Sequence, residues 1–143
     1  MWWLPHLLII FVQVITVLPY GIASYRFYHR QPRVMTWLLI GIILDVVMAM
    51  VGSSGLLPRM SDNQGAPWTS VLFLLHIVTA GLGMFGFIWL FFYLLVKGVN
   101  REYGRLRRFQ YFVLLHMWII GVGIAIINFI SKVAFGIRIY DLL

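Results

Sequence analysis

Four long apolar stretches alternate with short polar ones along this chain, and each apolar stretch is about as long as a bilayer is thick. They cover residues 4–27, 34–52, 68–96 and 108–135. A hydrocarbon core about 30 Å deep is crossed by roughly 20 apolar residues in a helix, so each stretch predicts one transmembrane span. None shows the period of two that marks a strand, and inside lipid a helix satisfies its own backbone polar groups. The connections at residues 29–33, 53–67 and 98–107 are polar and carry Pro32, Pro58 and Pro67, which reads as turns rather than linkers. The expectation is a single domain, an all-α bundle of four transmembrane helices.

Composition agrees with this. A chain that is 62% hydrophobic and 10% charged, with a mean hydropathy of +0.94, falls outside the range of water-soluble domains. The net charge of +7 comes from basic residues at the ends of the apolar runs. They do not form a patch interleaved with aromatic side chains, which argues against a nucleic-acid partner. Eight of the eleven Lys and Arg residues (Arg26, Arg30, Arg33, Lys97, Arg101, Arg105, Arg107 and Arg108) fall on the first and third turns; Arg59, Lys132 and Arg138 lie on the other side. The positive-inside rule then predicts cytoplasmic first and third turns and both termini outside. Trp2, Trp3, Trp68 and Tyr140 are thereby expected at the outer interface, where amphipathic rings settle. The arginine turns also fit anionic lipid, although topology alone accounts for them. The first residues lack a basic region and a small-residue cleavage site, so the first apolar run is expected to be a retained helix.

Polar side chains within spans normally face the bundle interior. On the first helix His6, Gln13, Tyr20 and Ser24 recur at spacings of 7, 7 and 4, which puts them on one face. Gly41, Asp45, Ala49 and Gly52 do the same on the second, His76, Ala80 and Gly83 on the third, and Gly121, Ala125, Asn128 and Lys132 on the fourth. Small residues at this spacing are first of all a packing device. Counting from the basic turns, His6 is 20 residues from Arg26 and His76 is 21 from Lys97, on helices running in the same direction. Their imidazoles are expected at one level near the outer surface, with Asn128, 21 residues past Arg107, close to it. His116, only 9 residues past Arg107, is expected about 18 Å lower at a rise of 1.5 Å per residue. Asp45 lies nearer mid-membrane, with Gln13, Thr16 and His116 at comparable depth. Its expected partner is His116, in a contact serving proton movement or bundle specificity, or else Gln13 or a backbone carbonyl.

The chemistry left open is narrow. With no cysteine there is no disulfide, thiolate metal site or iron-sulfur cluster, so a metal or haem would need His, Met or carboxylate ligands. No nucleophile-base pair, phosphate loop or HExxH motif is present, so no catalytic residue is assigned and no catalytic activity of its own is expected. His6 and His76 are the candidate ligands, interhelical hydrogen bonding being the plainer role for both. His29 among arginines reads as solvated.

Several short motifs together resemble a known family. They are Leu4, Pro5 and His6 opening the first helix, His29 and Arg30 leading into the second, and Leu75, His76 and Ile77 in the third. Arg105, Leu106, Arg107 and Arg108 before a tryptophan-bearing fourth helix complete the set. In this order they are similar to domain of unknown function 420, small four-helix membrane proteins that include assembly factors for cytochrome c oxidase. Where the family pattern has a further His at the outer end of the second helix, this chain has Met50, Ser53 and Ser54. The resemblance thus implies at most a two-histidine site with Met50 as a soft third ligand. It also implies an accessory or assembly subunit of a respiratory haem-copper complex, holding copper or haem at His6 and His76 beside other membrane subunits. The alternatives are a small cytochrome exchanging electrons with quinone, with the same two residues on haem b, and a purely structural subunit. The economy of the chain suits a prokaryotic inner membrane.

Overall fold

The computed structural model describes residues 4–53 and 70–141. Four helices account for nearly all of these residues: α1 (Leu4–Tyr28), α2 (Val34–Ser53), α3 (Val71–Lys97) and α4 (Gly104–Phe135). Each is long and apolar enough to cross a membrane, and the protein is an integral membrane protein built as a four-helix bundle. Helix α4 is continuous but not uniform. Its α-helical segments Gly104–Phe109 and Leu115–Phe135 are joined by a π turn at Gln110–Leu114. A short 3₁₀ turn, Ile139–Asp141, follows it.

The sequence rules at the helix ends are those of ordinary capping. Ser70 precedes α3 in an extended conformation, and its hydroxyl accepts a hydrogen bond from the Phe73 amide at 3.2 Å, satisfying one of the amides that a helix start leaves free. At the far ends of α3 and α4 the chain leaves through Gly98 and Gly136, both at positive φ. Helix α4 begins at Gly104, four residues before the expected start of the span. Its start therefore carries Arg105 and Arg108, which are exposed, and Arg107, which is buried.

The helices pack in a ring, with α1 against α2, α2 against α3, α3 against α4 and α4 against α1. Helices α1 and α3 face each other across the diagonal, where the rings of Tyr20 and Phe87 stack with centroids 4.1 Å apart. Phe27, Val34, Leu38, Leu90, Leu94, Leu114, Leu115, Trp118 and Val122 complete the apolar interior. Buried beside them are Thr16, Ser24, Asp45, Thr79, Gln110 and Asn128, while large apolar side chains cover the outside. On α3 the outer stripe is Val78, Leu82, Phe85, Trp89, Phe92 and Val96, all more than half exposed. A bundle whose outside is as oily as its inside cannot be assembled by apolar burial, because lipid solvates those side chains equally well. Close packing and interhelical hydrogen bonds decide the arrangement instead.

Close packing is clearest between α3 and α4. A Cβ built on Gly121 would stand 2.5 Å from the Ala80 backbone nitrogen, so only glycine permits this approach. Gly121→Ala is therefore expected to cost about 1–3 kcal/mol, the range for overpacking a tight contact. At Gly123 an added Cβ meets nothing within 4 Å, and Gly123→Ala should stay within about 0.5 kcal/mol of the parent. Reversible unfolding in mixed micelles, followed by circular dichroism, compares the two; equal losses would contradict the packing argument.

Candidate functional site

Two constellations of polar side chains lie along the bundle axis, one at its centre and one at the end opposite the α1–α2 and α3–α4 turns. The central one is built on Asp45 of α2, which is buried. Its Oδ2 accepts a hydrogen bond from the Trp118 indole at 2.8 Å, and a second from the Tyr20 hydroxyl at 3.3 Å. The Tyr20 ring meets Trp118 edge-on at 4.9 Å and lies against Gly41, where an added Cβ would fall 2.7 Å from Cδ1. Asp45 is thereby bonded to α1 and α4, and through the ring of Tyr20 the cluster reaches Phe87 of α3. One turn or so toward the basic end, the Gln110 side-chain amide donates to the Ser24 hydroxyl, joining α4 to α1 again.

This arrangement differs from the expected one, in which His116, or else Gln13 or a backbone carbonyl, is the partner of Asp45. His116 is exposed, and its Nδ1 is 3.1 Å from the Tyr111 carbonyl on its own helix. Gln13 is only partly buried and does not take the carboxylate either. The physical reason is azimuth. His116 precedes Trp118 by two residues, about 200° around a helix of 3.6 residues per turn, so a level shared with Asp45 leaves it on the opposite face. Trp118 was the residue that sequence reasoning missed. The available signal was its indole N–H, which needs an acceptor where there is no water.

At the other end His76 of α3 is half-buried between α3 and α4. Its Nδ1 is 2.7 Å from the carbonyl oxygen of Gly121, the residue whose missing side chain allows the helices to meet. A carbonyl can only accept, so Nδ1 carries the proton and, in the neutral ring, Nε2 carries the lone pair. Tyr140 stacks on this imidazole with centroids 6.2 Å apart, and the Tyr140 amide donates to Asn128 Oδ1 at 3.3 Å. Burial pushes the Tyr140 phenol up to about 12, so it remains a neutral donor at physiological pH. Asn128 and His76 thus share one end of the bundle through Tyr140.

Comparison with protein families, with curated proteins and with solved structures finds no match for this chain.

The remaining candidates are dispersed. The His6 side chain lies outside the described residues, as do Trp68 and the side chain of Ser53. Met50 is 66% exposed on α2. Among the described residues no three His, Asp or Glu side chains gather closely enough to hold a metal ion. Chemically, the centre is a closed hydrogen-bond node and His76 is a single oriented imidazole.

Asp45→Leu leaves two buried donors without an acceptor and should cost about 1–3 kcal/mol. Asp45→Asn keeps a carbonyl oxygen in place and should lose clearly less in the same unfolding measurement. Equal losses in the two variants would mean that the acceptor is not what matters there.

Proposed function

We propose that this protein is a noncatalytic accessory or assembly subunit of a respiratory haem-copper complex in a prokaryotic inner membrane, with His6 and His76 taking up copper or haem transiently on the outer side. The observation that carries the reading is the hydrogen bond from His76 Nδ1 to the Gly121 carbonyl. A carbonyl on one ring nitrogen is how proteins orient an imidazole whose other nitrogen binds a metal. Helix register supports a pair. From the level of the Tyr20–Phe87 stack, His6 lies 14 residues and His76 11 residues toward the far end, about 21 Å and 16 Å at 1.5 Å per residue. The two positions thus differ by less than one helical turn, on helices that face each other across the bundle. Nε2 and a thioether such as Met50 are soft enough donors for copper, and a pair of imidazoles serves haem.

A purely structural subunit is the second reading. It is favoured by the closed node at Asp45, which ties all four helices together and leaves the wide apolar exterior of α3 to lipid or to neighbouring subunits.

The test is uptake by the purified full chain. Wild-type protein should retain added Cu(I) or haem at close to one equivalent per chain, measured by metal analysis and by the visible spectrum. His76→Ala should weaken that affinity by about tenfold or more, beyond the modest loss of stability that removal of its hydrogen bond to Gly121 brings. A Soret band in the protein as isolated would move the reading to a permanent haem b and electron transfer with quinone. No uptake of either ligand would leave the structural reading, and copurification with mass spectrometry would then name the partner complex.

A further inference from the structure

At the basic end of the bundle, between the α1–α2 turn and the α3–α4 turn, lies a cavity of about 130 Å³. Among the described residues that line it are four arginines, Arg26, Arg30, Arg101 and Arg107, and one acidic residue, Glu102. Four like charges are not gathered round a small space without opposing their own approach, and a single exposed carboxylate does little to offset them. Glu102 lies 3.8 Å from Arg30, and both side chains are largely exposed.

Arg107 is the decisive residue. It is 6% exposed. Its Nη2 donates to the carbonyls of Val99 and Arg101 at 3.4 Å and 3.3 Å, and its guanidinium carbon stands 5.0 Å from the centre of the Phe27 ring, which also lines the cavity. Nε and Nη1 are buried with no hydrogen-bond partner. A guanidinium does not shed its proton, so two buried donors on a fixed positive charge call for an anion with paired oxygens. Other features point the same way. Arg30 and Arg33 hold the α1–α2 turn with φ of 57° and 65°, a left-handed conformation that disfavours their side chains, and the Arg26 guanidinium donates to the Pro32 carbonyl at 2.9 Å. That turn delivers Val34, the first residue of α2, to the cavity wall, and the first turn of α2 contains no acidic residue to answer the positive end of the helix.

We propose that this cavity is a binding site for a phosphate-bearing anion, with the buried Arg107 supplying fixed positive charge at its wall and Arg30 and Arg101 closing on the phosphate from the two turns. The oxygens arrive from one of two sources, the headgroup of an anionic phospholipid or a soluble phosphate compound. A second cavity of about 370 Å³ adjoins the first, shares Arg30, Val34 and Asn100 with it, and adds Pro32 and Met35, which gives room for the remainder of a larger molecule.

The experiment uses the full chain in detergent. Native mass spectrometry reads retention of phosphatidylglycerol against phosphatidylcholine, and calorimetry reads binding of inorganic phosphate and pyrophosphate. Preferential retention of phosphatidylglycerol identifies the lipid source, and calorimetric binding of the free anions identifies the soluble one. In either arm Arg107→Gln should weaken binding by about tenfold or more, the loss expected when a charge-assisted pair is removed. The double variant R30Q/R101Q should do the same, and because both side chains are exposed it tests the site even where Arg107→Gln does not fold. Arg108→Gln removes an equal charge from the same end without touching the cavity and should leave binding nearly unchanged. Equal weakening by Arg108→Gln, or no preference for phosphatidylglycerol together with no phosphate binding, would overturn the site.

Discussion

A carboxylate held away from water has to be supplied with hydrogen bonds by the protein, and Asp45 takes its bonds from helices other than its own. Tyr20 donates from α1 and Trp118 from α4 to the same oxygen, and Phe87 of α3 lies flat on the tyrosine. Every helix therefore has one residue in a single node, and a slide of any of them by one turn would break a contact there. Soluble bundles obtain their register from the burial of apolar stripes. In lipid that force is absent between helices, so a few polar contacts and close backbone approaches take over the task. The exterior shows the consequence, since large apolar side chains lie outside and hydroxyls, amides and the carboxylate lie within.

From this node outward the two halves of the bundle differ in kind. Toward the far end the helices approach by loss of side chains: Gly121 meets the Ala80 backbone, and the carbonyl exposed by that approach receives His76. Toward the basic end, α4 widens into the π turn at Gln110–Leu114, where the adjacent residues Leu114 and Leu115 are both buried and Gln110 reaches Ser24. π turns often accompany functional positions because the extra residue redirects the side chains that follow it. Here the turn lies between the node and Arg107, so the helix that carries the buried arginine is locally released from the strict register that Asp45 imposes.

Much of this architecture was legible in the residues. Span length and charge placement sufficed for four helices, because the thickness of a bilayer and the cost of burying charge leave few alternatives. The inward faces of α1 and α2 were legible in part: Tyr20, Ser24, Gly41 and Asp45 are buried, whereas Gln13 is only partly buried and Ala49 is exposed. What spacing along one helix cannot supply is the angle at which a neighbour presents its side chains. Depth counting brought His116 to the level of Asp45 but said nothing of the face it occupied, and Trp118, two residues on, held the better donor. Arg107 was read with the other arginines as a topology signal. That it turns inward depends on α4 starting at Gly104 and on the carbonyls of Val99 and Arg101, which only the folded α3–α4 turn brings together.

The position of His116 also bears on what the centre of the bundle can do. Moving a proton through a membrane domain takes a succession of titratable groups within hydrogen-bond reach of one another. Asp45 is enclosed by an indole, which does not exchange its proton in such a role, and by a tyrosine whose ring is clamped between Phe87 and Trp118. The imidazole at a similar depth is on the outer face, bonded to its own helix. The described residues around Asp45 form a node that ends where it begins, and the buried side-chain atoms without a hydrogen-bond partner lie toward the basic end, at Gln110 Oε1 and at Nε and Nη1 of Arg107. The middle of this protein holds the helices in place, and the two proposed sites lie where the bundle meets the membrane surfaces.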